Sequence, residues 1–347
     1  MFASIEAVEY YLPDDSLTTE RLVSEFPEWR AEKIDAKTGI HARRIAAPDE
    51  CASDLACRAA EKLFASGAAS PRDIDFLLFC TQSPDFILPT TACLIQRRLG
   101  VPTRTGALDF NLGCSGFVYG LGLAQGLVET GQADRVLLLT AETYSKLLHP
   151  KDRATRTIFG DAGSATLIAG VDSPGPRIGP FVYGTDGRGA DHLIVRADGA
   201  REPGGVTSSV IVIDEYGNLK SDTHLYMNGH AMFVFALAVV PVALETLLAK
   251  AGITVQQVDL FVLHQANKYM LDQICREAQV PAERCILSLR DCGNTVSSSI
   301  PIALKYASIC GRLRPGATVA LAGFGVGLSW AATLVRSPIV GCALAEH

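Results

Sequence analysis

The sequence predicts an α/β protein built from two duplicated halves. Helical and strand patterns alternate from end to end, the strands read as continuous apolar runs of the kind buried on both faces, and three segments recur at almost one spacing. The strand-like residues 73–80 return as 257–264, 184 positions later, and each copy follows an apolar-periodic helix, at 52–66 and 231–251. Leu112-Gly113-Cys114-Ser115 opens a helix, as does Cys292-Gly293-Asn294-Thr295, 180 positions on. The strand at 135–139 finds its partner at 318–322, offset by 183. Halves of 1–174 and 215–347 follow. A Gly/Pro/Asp-rich connector, 175–214, joins them and carries an inserted hairpin with the strand pattern Ser209-Val210-Ile211-Val212-Ile213.

Composition narrows the function classes. Of 347 residues, 48% are hydrophobic and 20% charged, which supplies a large core and excludes a disordered chain. A formal net charge of -6 gives nucleic-acid binding no electrostatic support. The densest basic cluster, Arg43-Arg44 near His41, reads as a local anion contact or a solvated face. Ten cysteines include no CxxC pair and several lie in apolar runs, so most are expected as buried free thiols in a reducing cytoplasm. Residues 1–6 lack a basic start and a long apolar stretch. The longest uncharged apolar run, 231–244, contains Pro241 and is too short to span a bilayer. A cytoplasmic location with no membrane partner is therefore expected.

Four polar sites fall where strands end and helices begin, the place where open α/β sheets collect ligands. Cys114 follows the strand 106–110 and precedes a Gly/Ala-rich helix reaching about Thr130. At a helix N-terminus, free N–H groups and the dipole favour a thiolate, so its pKa is expected to fall from ~8.5 to ~7. His264 ends the strand 258–263 ahead of a helix starting near Asn267; alone, it reads as a hydrogen-bonded structural histidine. Asn294 alone reads as a helix cap. Gly323-Phe324-Gly325-Val326-Gly327 departs from GxGxxG and precedes a strand, 329–335, so it is not a dinucleotide loop. Taken together the sites mean more. Cys114 and Asn294 occupy equivalent places of the repeat, so a pseudo-twofold axis would bring two helix N-termini to one centre. A nucleophile, an imidazole and an amide donor converging there make an acyl-transfer site.

The motifs Lys37-Thr38-Gly39-Ile40, Asn111-Leu112-Gly113-Cys114-Ser115-Gly116, His264-Gln265-Ala266-Asn267, Gly293-Asn294-Thr295 and Gly323-Phe324-Gly325-Val326-Gly327-Leu328-Ser329-Trp330 stand in an order that resembles the ketoacyl-acyl-carrier-protein synthase III family. These are thiolase-like condensing enzymes. The resemblance implies a thiolase-like five-layer αβαβα fold from two duplicated halves, a homodimer and ping-pong chemistry. It implies that Cys114 takes an acyl group from acyl-CoA, while His264 and Asn294 donate hydrogen bonds to a malonyl thioester as it decarboxylates. The backbone N–H groups of Cys114 and Val326 would form the oxyanion hole. Lys37 and Arg153 would stand at the CoA entrance and Asn267 along the pantetheine tunnel. Tyr144, Phe159, Leu225, Met227 and Phe324 would line the acyl pocket, with Leu88 reaching in from the partner subunit. No metal or redox cofactor is implied, CoA thioester being a substrate, and an acyl carrier protein is the expected partner.

Departures from the family accompany the match. Lys33 aligns with a tryptophan that commonly stacks on the CoA adenine, and Lys37 with an arginine. Val234 and Tyr269, with Lys268 and Arg276 nearby, stand where carrier-binding members are basic. The bulky aromatic common at the Leu88 position is absent, whereas Tyr144 adds bulk. The alternatives are an acyl transferase that forms no carbon–carbon bond, which would need Cys114 but not the decarboxylating pair, and a thioester hydrolase of the same fold, since Cys/His/Asn also serves thioester cleavage.

Overall fold

The structure is a computed structural model and describes residues 1–26, 28–197, 199–203, 211–215 and 219–337. In the first half the strands are β1 (Phe2–Tyr11), β2 (Asp15–Thr18), β3 (Ala42–Ile45), β4 (Phe76–Cys80), β5 (Gly106–Phe110), β6 (Arg135–Glu142) and β7 (Ala162–Val171). Its helices are α1 (Thr19–Glu25), α2 (Ala31–Thr38), α3 (Ala52–Ala65), α4 (Thr91–Leu99), α5 (Gly116–Glu129) and a single turn, α6 (Arg153–Arg156). There follow β8 (Ile178–Thr185), the short strands β9 (Leu193–Ile194), β10 (Val212–Ile213), β11 (Leu219–Lys220) and β12 (Tyr226–Met227), then α7 (Gly229–Ala251), β13 (Leu260–Leu263), α8 (Lys268–Glu277), α9 (Ser299–Ile309), β14 (Thr318–Gly325) and β15 (Ser329–Arg336).

Two sheets carry the repeat. The first runs β1-β7-β6-β4-β5 and the second β8-β15-β14-β13. Both have a parallel central pair (β4 with β6, β13 with β14) flanked by antiparallel partners in the same sequence order. The match holds strand for strand, with β5 the one addition among the described residues. Helices α3 and α4 cover the outer face of the first sheet, α5 and α9 lie between the sheets, and α7 and α8 cover the second. Five layers result, because each sheet is apolar on both faces and needs a helix layer on each side.

Several local expectations shift. The strand Ile178–Thr185, which the sequence reading leaves in the connector, is the edge strand of the second sheet. Residues 212–213 pair with 219–220 as a small hairpin, while Ser209 and Val210 lie outside the described residues. Arg43 is no surface anion contact. It is fully buried, with Nε donating to the Thr157 carbonyl (2.9 Å) and an Nη to Thr19 Oγ1 (3.1 Å), because a guanidinium can satisfy several buried main-chain acceptors at once. The apolar run at 231–244 belongs to a 23-residue helix, α7, long and apolar enough by composition to cross a membrane. It packs Phe235, Ala236, Leu244, Leu247 and Leu248 into the core of the second half, against β8, β14 and β15. The nine described cysteines are free thiols, five of them buried, and Cys342 lies outside the described residues.

One contact seats the outer layer. A Cβ on Gly163 of β7 would collide with the main-chain carbonyl group of Leu55 in α3. Backbone cannot move aside as a side chain can. Gly163→Ala is therefore expected to destabilise the protein by roughly 1–3 kcal/mol, read as a lower urea midpoint at unchanged slope; an unchanged midpoint would show that α3 does not rest on this contact.

Candidate active site

Cys114 sits in the turn between β5 and α5, one residue before the helix N-cap Ser115. Three contacts fix this turn: the Cys80 thiol donates to the Leu112 carbonyl (2.8 Å), Gln82 Nε2 donates to Asn111 Oδ1 (3.1 Å), and the hydroxyls of Ser115 and Ser329 share a hydrogen bond (2.6 Å). The last of these ties the nucleophile's turn to the second half. The glycine-rich motif supplies the other tie. A Cβ on Gly323 would stand 2.6 Å from the Cys114 carbonyl oxygen, and one on Gly325 would stand 2.9 Å from Sγ. These glycines let β14 press its backbone against the sulfur.

The main-chain N–H groups of Cys114 and Val326 both hydrogen-bond the sulfur and favour its anion. Burial outweighs them and, with the Glu142 charge adding, pushes the thiol up to about 12. The expectation of a half-ionised thiol near neutral pH is thus overturned. A helix N-terminus lowers a cysteine pKa, but desolvation of this site acts more strongly in the opposite sense.

His264 directly follows β13, its N–H bonded to the Ala322 carbonyl (2.8 Å), so its ring rises from the end of the sheet. Nδ1 lies 2.7 Å from Ser299 Oγ, which also accepts the Gln265 N–H (3.4 Å). When the Ser299 hydroxyl donates to Nδ1, the neutral ring carries its proton on Nε2. Burial holds the imidazole neutral, its pKa lowered to about 3, against a backbone hydrogen bond with Val296 that favours the charged form.

Asn294 does not cap a helix. A single 3-10 turn, Val296–Ser298, separates it from α9, whose start at Ser299 lies 183 residues after that of α5. By this offset the counterpart of Cys114 is Ser297 rather than Asn294. Asn294 is instead pinned by its backbone, its N–H donating to the Ile158 carbonyl (2.9 Å) and its carbonyl accepting from Gly160 (3.0 Å). Its Oδ1 accepts the Val296 N–H (2.9 Å), which leaves its amide NH2 as the donor. Val296 has φ +52, costing about 1–3 kcal/mol for a β-branched residue.

Cys114, His264 and Asn294 line one cavity of ≈ 90 Å³ with Asn267, Phe159, Met227 and Phe324. Asn267 also caps α8, its Oδ1 accepting the Met270 N–H (2.9 Å). Tyr144 and Leu225 are buried behind this lining instead of within it; the Tyr144 ring packs 5.2 Å from that of Phe159 and its hydroxyl donates to Gln82 Oε1 (2.5 Å). Leu88 is 79% exposed, next to Phe86 and Ile87, which are exposed too. Lys37 is exposed in the last turn of α2, and α2 packs on α8.

Arg153 pairs with Glu28 and lies 5.0 Å over the Phe26 ring and 5.9 Å from that of Trp29. A tryptophan therefore stands beside Arg153 after all, and Lys33 is an exposed residue of α2. Sequence reasoning missed Trp29 because it aligned the tryptophan with Lys33, four residues further along the chain. It also missed Ser299 and Glu142, polar residues in apolar or serine-rich runs whose partners are distant in sequence.

The family described as 3-Oxoacyl-[acyl-carrier-protein (ACP)] synthase III matches residues 108–187, and its C-terminal part matches 248–337. Beta-ketoacyl-[acyl-carrier-protein] synthase III of Caldanaerobacter subterraneus subsp. tengcongensis is 34% identical over 338 residues, 96% of this chain and 97% of that one. A crystal structure of a 3-oxoacyl-(acyl-carrier-protein) synthase III superposes with TM-score 0.95 at 53% identity, covering 97% of this chain and 100% of the other. The enzyme from Burkholderia xenovorans LB400 gives 0.88 at 35%, covering 98% and 95%. A nucleophile turn clamped by a glycine strand, an imidazole held neutral and an amide held open thus sit in a chain that belongs to the β-ketoacyl-acyl-carrier-protein synthase III family.

Proposed function

We propose that Cys114 carries the acyl primer and that His264 and Asn294 drive decarboxylation in the condensation this family catalyses. The observation that carries the reading is the convergence of all three side chains on one buried cavity, with two N–H groups already aimed at the sulfur. In the first step the Cys114 sulfur attacks the carbonyl carbon of an acyl-CoA. The developing oxyanion takes the N–H groups of Cys114 and Val326, the C–S bond to CoA breaks, and the proton given up by the Cys114 thiol ends on the departing CoA sulfur, releasing its thiol. In the second step the carbonyl oxygen of a malonyl thioester accepts hydrogen bonds from His264 Nε2–H and the Asn294 amide. The bond to the carboxylate breaks and CO2 leaves. Its electron pair forms an enolate whose carbon attacks acyl-Cys114, expelling the thiolate and giving a β-ketoacyl thioester.

Both donors are neutral, so they stabilise charge that appears only as CO2 departs, and donors of this kind contribute ~3–4 kcal/mol each. Trp29, Phe26 and Arg153 offer a stacking platform for the CoA adenine, and Asn267 a contact for the pantetheine arm. At the mouth, Val234 and Tyr269 are exposed and Lys268 is paired with Asp272 (2.5 Å), so an acidic carrier protein would meet a less cationic face than in carrier-binding relatives. A homodimer fits the free edge of β5, with Leu108 exposed, and the exposed apolar loop at 86–88, from which Leu88 would enter the partner's pocket.

Incubation with a panel of acyl-CoAs, followed by intact mass, is expected to give an acyl adduct that Cys114→Ala abolishes. His264→Ala and Asn294→Ala should each lower CO2 release from a malonyl thioester by about 10²–10³-fold while loading persists; equal loss of both steps would reject this division of labour.

The pH dependence follows from the shifts. Because the folded His264 titrates near 3, far below its ordinary 6.5, decarboxylation should show no acidic limb around pH 6–7. The Cys114 thiol lies near 12, so its alkylation by iodoacetamide should climb about tenfold per pH unit from 7 to 9. A plateau near 7 would mean a preformed thiolate.

Replacing Leu88 by Asp should shift the protein from dimer to monomer in light scattering and reduce loading; an unchanged dimer would remove the 86–88 loop from the interface.

A further inference from the structure

Glu142 is buried beside the site, and the chemistry just described does not use it. The 183-residue offset between the halves places Ser297 at the counterpart of Cys114, Thr81 at that of His264, Asn111 at that of Asn294, and Glu142 at that of Gly325. Gly325 and Glu142 are each the last residue of their strand, β14 and β6. Where β14 has a glycine that makes room for sulfur, β6 puts a carboxyl group into the related space. That carboxyl gathers four donors. Its Oε1 accepts the Ser297 hydroxyl (2.9 Å), and Oε2 accepts the Gln82 N–H (3.0 Å) and the hydroxyls of Ser83 (3.1 Å) and Thr81 (3.5 Å).

These partners belong to different halves. Ser297 closes the turn, residues 294–297, that contains Asn294 and the strained Val296. Residues 81–83 follow β4, and Gln82 also holds Asn111 at the start of the Cys114 turn. A left-handed valine makes the 294–297 turn depend on contacts from outside it. We propose that Glu142 is a positioning residue, whose carboxyl group holds the 294–297 turn against the 81–83 loop and so sets the Asn294 amide opposite Cys114. The proposal rests on Asn294 acting as a donor in decarboxylation. Burial raises the Glu142 carboxyl to about 8, opposed by its hydrogen bonds, and its charge bears on Cys114, Cys80 and Tyr144.

Glu142→Gln keeps the volume but sets an NH2 group against hydroxyl and N–H donors, and it removes the charge. Ser297→Ala cuts only the link to the second half. Both are expected to fold, with wild-type far-UV circular dichroism, and to load acyl groups within about threefold of wild type. CO2 release from a malonyl thioester should fall about tenfold or more, the effect of an amide displaced by a fraction of an ångström. In Glu142→Gln the pH profile of Cys114 alkylation should also move to lower pH, because a like charge has gone, whereas Ser297→Ala, which keeps the carboxyl group, should leave that profile in place while CO2 release falls. Parallel loss of loading and CO2 release in both variants, or unchanged CO2 release in both, would overturn the proposal. Asn294→Ala measured alongside separates the two levels. If it too releases CO2 normally, the role of Asn294 fails and this proposal with it; if it is impaired while both other variants are normal, this proposal alone fails.

Discussion

The close approach of β14 to the Cys114 sulfur is the contact on which the site depends. Two halves with separate sheets and separate outer helices meet there backbone to side chain, and the meeting works only because Gly323 and Gly325 lack a Cβ. The same approach delivers the Val326 N–H to the sulfur and shares the Ser115–Ser329 hydrogen bond across the boundary. Helices α5 and α9 lie between the two sheets and contribute their apolar sides to one central core. Steric demand at one atom is thus transmitted through a whole layer, as expected of an interior packed to crystal-like density.

Desolvation then decides the charge state of every titratable group nearby. The thiol of Cys114 is pushed up to about 12, the carboxyl of Glu142 up to about 8 and the imidazole of His264 down to about 3. One cause, removal from water, moves all three toward their neutral forms. For His264 this suits the role proposed above, because a neutral ring can donate a hydrogen bond to an oxygen on which negative charge develops. For Cys114 it is a cost that the two aimed N–H groups reduce and that only a bound carbonyl, accepting the developing charge, can offset further. A dry site is therefore slow to ionise at rest and strongly polarising once substrate enters.

Much of this was legible in the amino-acid pattern, for a physical reason. The strand read at 73–80 is observed at 76–80, its apolar buried part, after a 3-10 turn at 71–73, and the strand read at 106–110 is observed with those bounds. The repeat was legible because both halves solve the same packing problem. Cys114, His264 and Asn294 showed themselves by standing at strand ends. Asn294 was nevertheless given the wrong structural role, because Cys292-Gly293-Asn294 lies 180 rather than 183 residues from its apparent twin, and three residues are nearly a full helical turn. What stayed hidden depends on tertiary partners. Ser299 is one of three consecutive serines, and only the fold shows which of them faces an imidazole. Arg43 looked like a surface cation because burial of a guanidinium requires carbonyl acceptors that sequence does not reveal. The pinning of Tyr144 by Gln82, which takes it out of the cavity lining, is a contact across 62 positions.

The two halves also show how duplication becomes asymmetry. Corresponding turns end the fifth strand of the first half and precede α9 in the second, and either could in principle have carried a nucleophile. In the first, a cysteine faces glycines and the cavity; in the second, a serine donates to the carboxyl group of Glu142. Once one copy is plugged, its polar groups can be spent on rigidity: four donors on Glu142 fix loops from both halves, a degree of satisfaction that a fully buried carboxyl requires. The site around Cys114 instead keeps a donor for substrate, the NH2 group left to Asn294 once its Oδ1 accepts the Val296 N–H. Rigidity in one member of the pair is what allows unsatisfied, and hence reactive, groups in the other.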